Sequence, residues 1–308
     1  MSQRLTYVFL TLPVFILGSC STPGADAPAG ADGVWTLPPD AEIRALVEES
    51  VEANGVGMVV GVVDANGRRV FMHGRSGAAS DRPLDGETVF QLGSVTKPIT
   101  GLLLSDIVAR GEVSLDDPAA EYLPVGVTMP EASQAITLRA LATHMSGLPS
   151  MPNNFDVAGQ PSPYEDYTVA ELWDFLSTHE LSREVGTEYG YSNLGVSLLG
   201  ILLGLEKGMS YEALVTERVL QPLAMTSTSI TLSEDQMERL APGHGPYRTP
   251  VRTWEMATLQ ASGSLRSTAN DMLNLLEAYL GYRDTPLAEA MALQLTSGAV
   301  RGGRQGAV

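Results

Sequence analysis

From residue 40 onward the apolar positions recur at helical spacing, broken early by one β-branched run, and their order predicts the architecture. Residues 40–53 place Ile43, Leu46, Val47 and Val51 at helical spacing, and Asn54-Gly55 stops the run. Val56 to Val63 is a β-branched run, closed by Asp64-Ala65-Asn66-Gly67 and followed by Arg69 to His73, which predicts a hairpin. A helix is then expected from near Ser94 to Gly111, with Ile99, Leu102, Leu103, Ile107 and Val108 on its apolar positions. Pro98 is tolerated only in a first turn, so it pins the start of that helix. Further helices are expected at 137–144, 168–178, 194–206, 210–224 and 267–281, the last with Thr268 and Asp271 at capping-box spacing. Four prolines and two adjacent asparagines make 149–166 a long loop. A hairpin, a helical insertion and a return differ from the alternating strand–helix order of a parallel sheet.

The first residues carry a different pattern. Arg4 precedes an almost wholly apolar run, 5–18 (LTYVFLTLPVFILG). It falls short of the roughly 20 residues of a membrane span and reads as the core of a signal peptide. The only cysteine follows in Leu17-Gly18-Ser19-Cys20. Small residues before a lone Cys at this place resemble the lipobox of bacterial lipoproteins. That resemblance implies cleavage before Cys20, acylation of its thiol, and a membrane anchor without a transmembrane helix. Residues 20–39 are rich in Pro, Ala, Gly and Asp and read as a tether. The expected organisation is a signal peptide at 1–19, the tether at 20–39 and one domain at 40–308, with a helical lobe at about 112–260.

Composition narrows the function. Hydrophobic residues make up 44% of the 308, enough for a sizeable core. A net charge of −17 repels phosphate and argues against a nucleic-acid partner. One cysteine allows neither an internal disulfide nor a cysteine metal cage. The basic residues are 17 Arg and only two Lys, Lys97 and Lys207.

One of those lysines lies in Ser94-Val95-Thr96-Lys97. Residues three apart share a helix face, so the Lys97 amine can reach the Ser94 hydroxyl. A serine becomes a nucleophile when a base takes its proton, and a lysine becomes that base when its pKa is lowered. The helix N-terminus also favours developing negative charge on the serine oxygen. A second group, Tyr191-Ser192-Asn193, sits in a glycine-flanked turn before an apolar helix. A phenol beside a cationic lysine can carry a proton. An Asn amide can hold a substrate carbonyl and an ammonium at once.

Together these residues resemble the serine β-lactamase and penicillin-recognising superfamily, in which S-x-x-K precedes Y-x-N across a helical insertion. Thr88 to Leu92, Gly111 to Pro118, Thr137 to Pro149 and Ser262 to Met272 also resemble stretches of class C-like members and DD-peptidases. The resemblance spans about residues 40–290. It implies an α+β fold: an antiparallel sheet flanked by helices, plus an inserted all-helical lobe. It implies Ser94 as acylated nucleophile, Lys97 as its activating partner, and Tyr191 and Asn193 as the second motif. It implies no cofactor.

One motif departs. The superfamily carries a third one, Lys or His, then Thr or Ser, then Gly, on a strand lining the cleft. Thr296-Ser297-Gly298 comes nearest, with Thr296 where the Lys or His belongs. The expectation is a chain truncated at its C-terminus, lacking that motif, the second oxyanion-hole N–H and the closing strands.

Other chemistries find less support. No serine lies in G-x-S-x-G. His73, His144, His179 and His244 lack paired metal spacing and read as structural or exposed. Ser146, two residues after His144, is not expected to face it. Glu206 and Lys207 read as a solvated face. Two classes remain. One is a serine hydrolase acting on D-Ala-D-Ala-type cell-wall peptides, β-lactams or small esters at a bacterial cell envelope. The other is a non-catalytic envelope lipoprotein using the same fold to bind. A nucleophile with its base favours the first.

Overall fold

The computed structural model describes residues 37–77, 82–154 and 164–297. The expected signal peptide, Cys20 and nearly all of the tether lie outside the described residues. Residues from Asp40 onward form one contact unit. It opens with helix α1 (Asp40–Asn54) and strands β1 (Gly57–Asp64) and β2 (Gly67–Gly74). The strands pair antiparallel from Gly57↔Gly74 to Asp64↔Gly67, the expected hairpin with a two-residue turn. The Asp64 carboxylate accepts the Asn66 N–H at 2.8 Å, and Gly67 takes the positive φ of +108° that the turn demands. Ile43, Val47 and Phe71 form a small core between α1 and the hairpin.

After strand β3 (Phe90–Gln91), a 3₁₀ turn (Gly93–Val95) leads into α2 (Thr96–Ala109). Ser94 therefore sits in the tight turn that feeds the helix, one step earlier than expected. Pro98 is the third residue of α2, where its missing N–H costs nothing. Ile99, Leu102, Leu103, Leu104 and Ile107 are at most 1% exposed. A helix buried on so many sides belongs to the centre of a core.

The helical part continues with α3 (Leu138–Ala142), α4 (Val169–Thr178), α5 (Asn193–Lys207), α6 (Tyr211–Val215) and α7 (Glu234–Arg239). The helix expected at 210–224 is α6 followed by a wide turn over Thr216–Leu220, in which Gln221 N–H reaches back to Thr216 O. Arg218, within that turn, meets Asp106 of α2 at 2.7 Å and Glu112 at 2.8 Å. Lys207 meets Glu112 at 2.8 Å and is only 18% exposed, so it joins this network and departs from the reading of a solvated face, whereas Glu206 is exposed. The helix α7 was not anticipated.

Strands β4 (Gly243–His244) and β5 (Pro250–Val251) pair with each other, and β6 (Arg266–Ser267) pairs with β3. The chain then forms α8 (Ala269–Tyr279) and α9 (Ala288–Ser297). Thr268 caps α8 by accepting the Asp271 N–H at 3.2 Å. The Asp271 carboxylate accepts instead from Ser227 N–H and the Thr228 hydroxyl, so only half of the expected capping box forms. Helix α8 packs on β1, α1 on β2, and α9 on α2. Thr296 and Ser297 end α9, with the Thr296 hydroxyl bonded to Ala292 O, so this stretch is helix and not a cleft strand. Gly298 lies outside the described residues.

Candidate active site

Gly93 supplies the positive φ of +54° that swings the chain from β3 into the turn bearing Ser94. The turn is fixed by Leu92 N–H donating to Leu265 O at 2.9 Å. Ser94 is exposed, whereas Lys97, one helical turn along, is only 7% exposed. The Lys97 ammonium donates to Ser94 Oγ at 3.2 Å and to the main-chain oxygen of Ser262 at 2.7 Å.

Burial lowers the Lys97 pKa from 10.5 to about 7, and no carboxylate among the described residues offsets it. That corresponds to roughly 5 kcal/mol against the charged form. Lys97 Nζ also lies 4.7 Å from the centroid of the Tyr191 ring. Such a contact favours the cation by only about 0.5–2 kcal/mol, so burial wins.

Tyr191 reaches the same hydroxyl from the other side. Its phenol oxygen lies 2.6 Å from Ser94 Oγ. The turn that carries it is set by Ser192, the N-cap of α5. The Ser192 hydroxyl accepts Gly195 N–H at 2.8 Å and donates to Pro149 O at 2.7 Å. Ser192 is thereby a structural member of the Tyr-Ser-Asn motif. Of the four motif residues, Lys97 and Tyr191 both come within hydrogen-bond reach of Ser94. Asn193 does not join them: its amide nitrogen points to Met151 Sδ at 3.7 Å, and Lys97 donates elsewhere.

One neighbour was missed. His144 is buried, and its ring lies 4.8 Å from that of Tyr191. Burial first, and then the nearby Lys97 charge, lower its pKa to about 4. The expectation that His144 and Ser146 do not meet holds, but for another reason. Helix α3 ends at Ala142, so neither is helical, and Ser146 Oγ faces Leu148 N–H at 3.4 Å. No sequence signal ties His144 to Tyr191, because the two are far apart along the chain. Elsewhere, Glu48 and Glu52 of α1 and His73 of β2 bring candidate metal-ligand atoms within 4.8 Å of one another. Spacing along the chain did not reveal that group, because its histidine comes from the strand.

A serine held between a desolvated lysine and a tyrosine, at the head of a buried helix, has the arrangement of an activated serine nucleophile. The chain matches the Beta-lactamase family model over residues 43–307 and belongs to that family. It is 32% identical over 235 residues to the D-alanyl-D-alanine-carboxypeptidase/endopeptidase AmpH of Escherichia coli (strain K12), covering 74% of this chain and 58% of that protein. It is 27% identical over 258 residues to a beta-lactamase of Pseudomonas fluorescens, covering 82% and 69%. Among solved structures it is similar to a class C beta lactamase from Rhodobacter sphaeroides, with a TM-score of 0.71 and 28% identity over 82% of this chain and 70% of that one. The chain thus spans under three-fifths of the length of the carboxypeptidase it resembles.

Proposed function

We propose that the protein is a serine hydrolase that forms an acyl-enzyme on Ser94 and acts on D-Ala-D-Ala-type cell-wall peptides, β-lactams or small esters. The observation that carries this reading is Ser94 Oγ lying 3.2 Å from Lys97 Nζ and 2.6 Å from the Tyr191 phenol oxygen. With a pKa of about 7, a fraction of Lys97 is a neutral amine at neutral pH. That amine takes the Ser94 proton as Oγ attacks the substrate carbonyl. Collapse of the tetrahedral intermediate breaks the C–N or C–O bond, and the leaving group takes a proton through Tyr191. Water then releases the acyl group. Asn193 gives up its weak bond to Met151 to hold a substrate carbonyl.

A non-catalytic lipoprotein using the same fold to bind is the other reading. The cost of burying Lys97 without a carboxylate argues against it, since a binder gains nothing from a desolvated amine next to a serine. The carboxypeptidase and β-lactamase relatives support hydrolysis of acyl–amide bonds. We further infer attachment to a bacterial membrane through acylated Cys20, on the strength of the sequence alone.

Incubating the protein with a peptide ending in D-Ala-D-Ala, a chromogenic cephalosporin and a nitrophenyl ester, and identifying the products, tests the proposal. Turnover of at least one, abolished in Ser94→Ala, is expected. Binding of all three without turnover or covalent adduct would favour the non-catalytic reading.

A further inference from the structure

Tyr191 is 41% exposed, yet its hydroxyl sits at hydrogen-bond distance from Ser94. An exposed side chain on a loop needs something to hold it there, because free rotation about its χ angles would take the hydroxyl away. Besides the N-cap of Ser192, one residue meets the chain on both sides of it. Gly190, just before Tyr191, donates its N–H to the main-chain oxygen of His144 at 2.9 Å. Ser192, just after it, donates its N–H to His144 Nδ1 at 3.2 Å. Between those bonds the imidazole lies against the phenol ring, with centroids 4.8 Å apart and planes at 38°. Its other flank meets the Tyr189 ring edge-on at 5.6 Å.

The backbone of His144 gives an independent sign. Its φ is +62°, in the left-handed region where a side chain costs about 1–3 kcal/mol and glycine is the default. Here glycine would supply the backbone oxygen but neither the Nδ1 acceptor nor the ring.

We propose that His144 is the positioning residue for Tyr191: it clamps the main chain on both sides of the tyrosine, packs against its ring, and so keeps the phenol hydroxyl on Ser94. The clamp needs an unprotonated Nδ1, which places the imidazole proton on Nε2. Burial and the Lys97 charge hold the imidazole pKa down to about 4, so the acceptor persists at neutral pH. The inference rests on the reading of Ser94 as the acylated nucleophile.

A double-mutant cycle tests it. The rate of covalent labelling of Ser94 by a fluorescent penicillin or phosphonate is measured for wild type, His144→Gly and His144→Asn, each also combined with Tyr191→Phe, beside thermal melts. His144→Gly suits the backbone and removes the whole side chain. It is expected to slow labelling about tenfold to a hundredfold, the scale of an ångström-sized misplacement. Asn tolerates positive φ and puts an amide oxygen near the place of Nδ1, so His144→Asn should recover part of the rate. In the Tyr191→Phe background neither change should slow labelling further, because the hydroxyl they position is gone. A purely structural histidine would slow both backgrounds alike, and that result overturns the proposal, as does wild-type labelling by His144→Gly. Should His144→Gly melt below the assay temperature, the same comparison with His144→Asn decides. A wild type labelled somewhere other than Ser94 overturns the acyl-enzyme reading and this inference with it, whereas correct labelling that ignores His144 overturns this inference alone.

Discussion

Lys97 donates a 2.7 Å hydrogen bond to the carbonyl oxygen of Ser262, which lies 165 residues further along the chain. That bond fixes the amine without neutralising it. A carbonyl dipole aims Nζ at Ser94 while leaving burial free to lower the pKa to about 7. A carboxylate in the same place would have stabilised the cation and removed the base.

The nucleophile is the first point to check. Ser94→Ala should abolish covalent labelling by a fluorescent penicillin or a phosphonate, with the melting temperature little changed, since Ser94 is exposed. Mass spectrometry of the labelled peptide decides it. Label on another serine, or unchanged labelling in the variant, would refute the assignment.

Lys97→Arg keeps a positive charge but cannot deprotonate at accessible pH. Acylation should fall about a hundredfold or more, by general-base magnitudes. In the wild type the acylation rate should rise with pH as Lys97 loses its proton, with an inflection near 7. Stopped-flow acylation across pH 5.5–9 (roughly the range bracketing that value) reads both effects. Near-wild-type acylation by the Arg variant would reduce Lys97 to a fixed charge.

The same lysine links stability to pH. Its pKa is 10.5 in an unfolded chain and about 7 in the folded one. Between those values the unfolded chain binds a proton that the folded chain lacks, so stability rises with pH across the window. The contribution is up to about 5 kcal/mol in total. Urea unfolding at several pH values within it should show a smaller rise for Lys97→Met than for wild type. Parallel curves would mean that Lys97 is solvated in the folded protein.

Gly200 of α5 tests the support behind Ser262. A Cβ built there would lie 2.3 Å from Ala261 Cβ, closer than two carbons can approach. Gly200→Ala should cost about 1–3 kcal/mol by overpacking. It should also slow labelling of Ser94 by pushing aside the strand of chain that holds Lys97. Calorimetry with a labelling assay checks both, and an unchanged melt would show slack between α5 and this segment.

The anchor is tested in cells. Metabolic labelling with a clickable fatty acid should tag the protein, and Cys20→Ser should move it from the membrane to the soluble fraction. An untagged, freely soluble wild type would rule out the lipobox reading.

Local pattern was enough for the elements and for part of the site. The β-branched run Val56–Val63 and the turn residues Asp64–Gly67 made the hairpin legible, because a short turn leaves strands only one way to pair. Burial of Leu102, Leu103 and Ile107 followed from their spacing, and Ser94 and Lys97 can meet because residues three apart on helical turns share a face. The place of Tyr191 came from resemblance to known motifs, not from anything its neighbours dictate. Tertiary structure alone decided the rest. It put Ser94 in a 3₁₀ turn, because Gly93 and the bond from Leu92 to Leu265 set the entry to α2. It turned Asn193 toward Met151, brought Ser262 to Lys97, and set His144 behind Tyr191. Sequence periodicity records which face of an element is apolar. It carries no information about which distant element will cover that face, and a lysine's pKa and a tyrosine's aim depend on that cover.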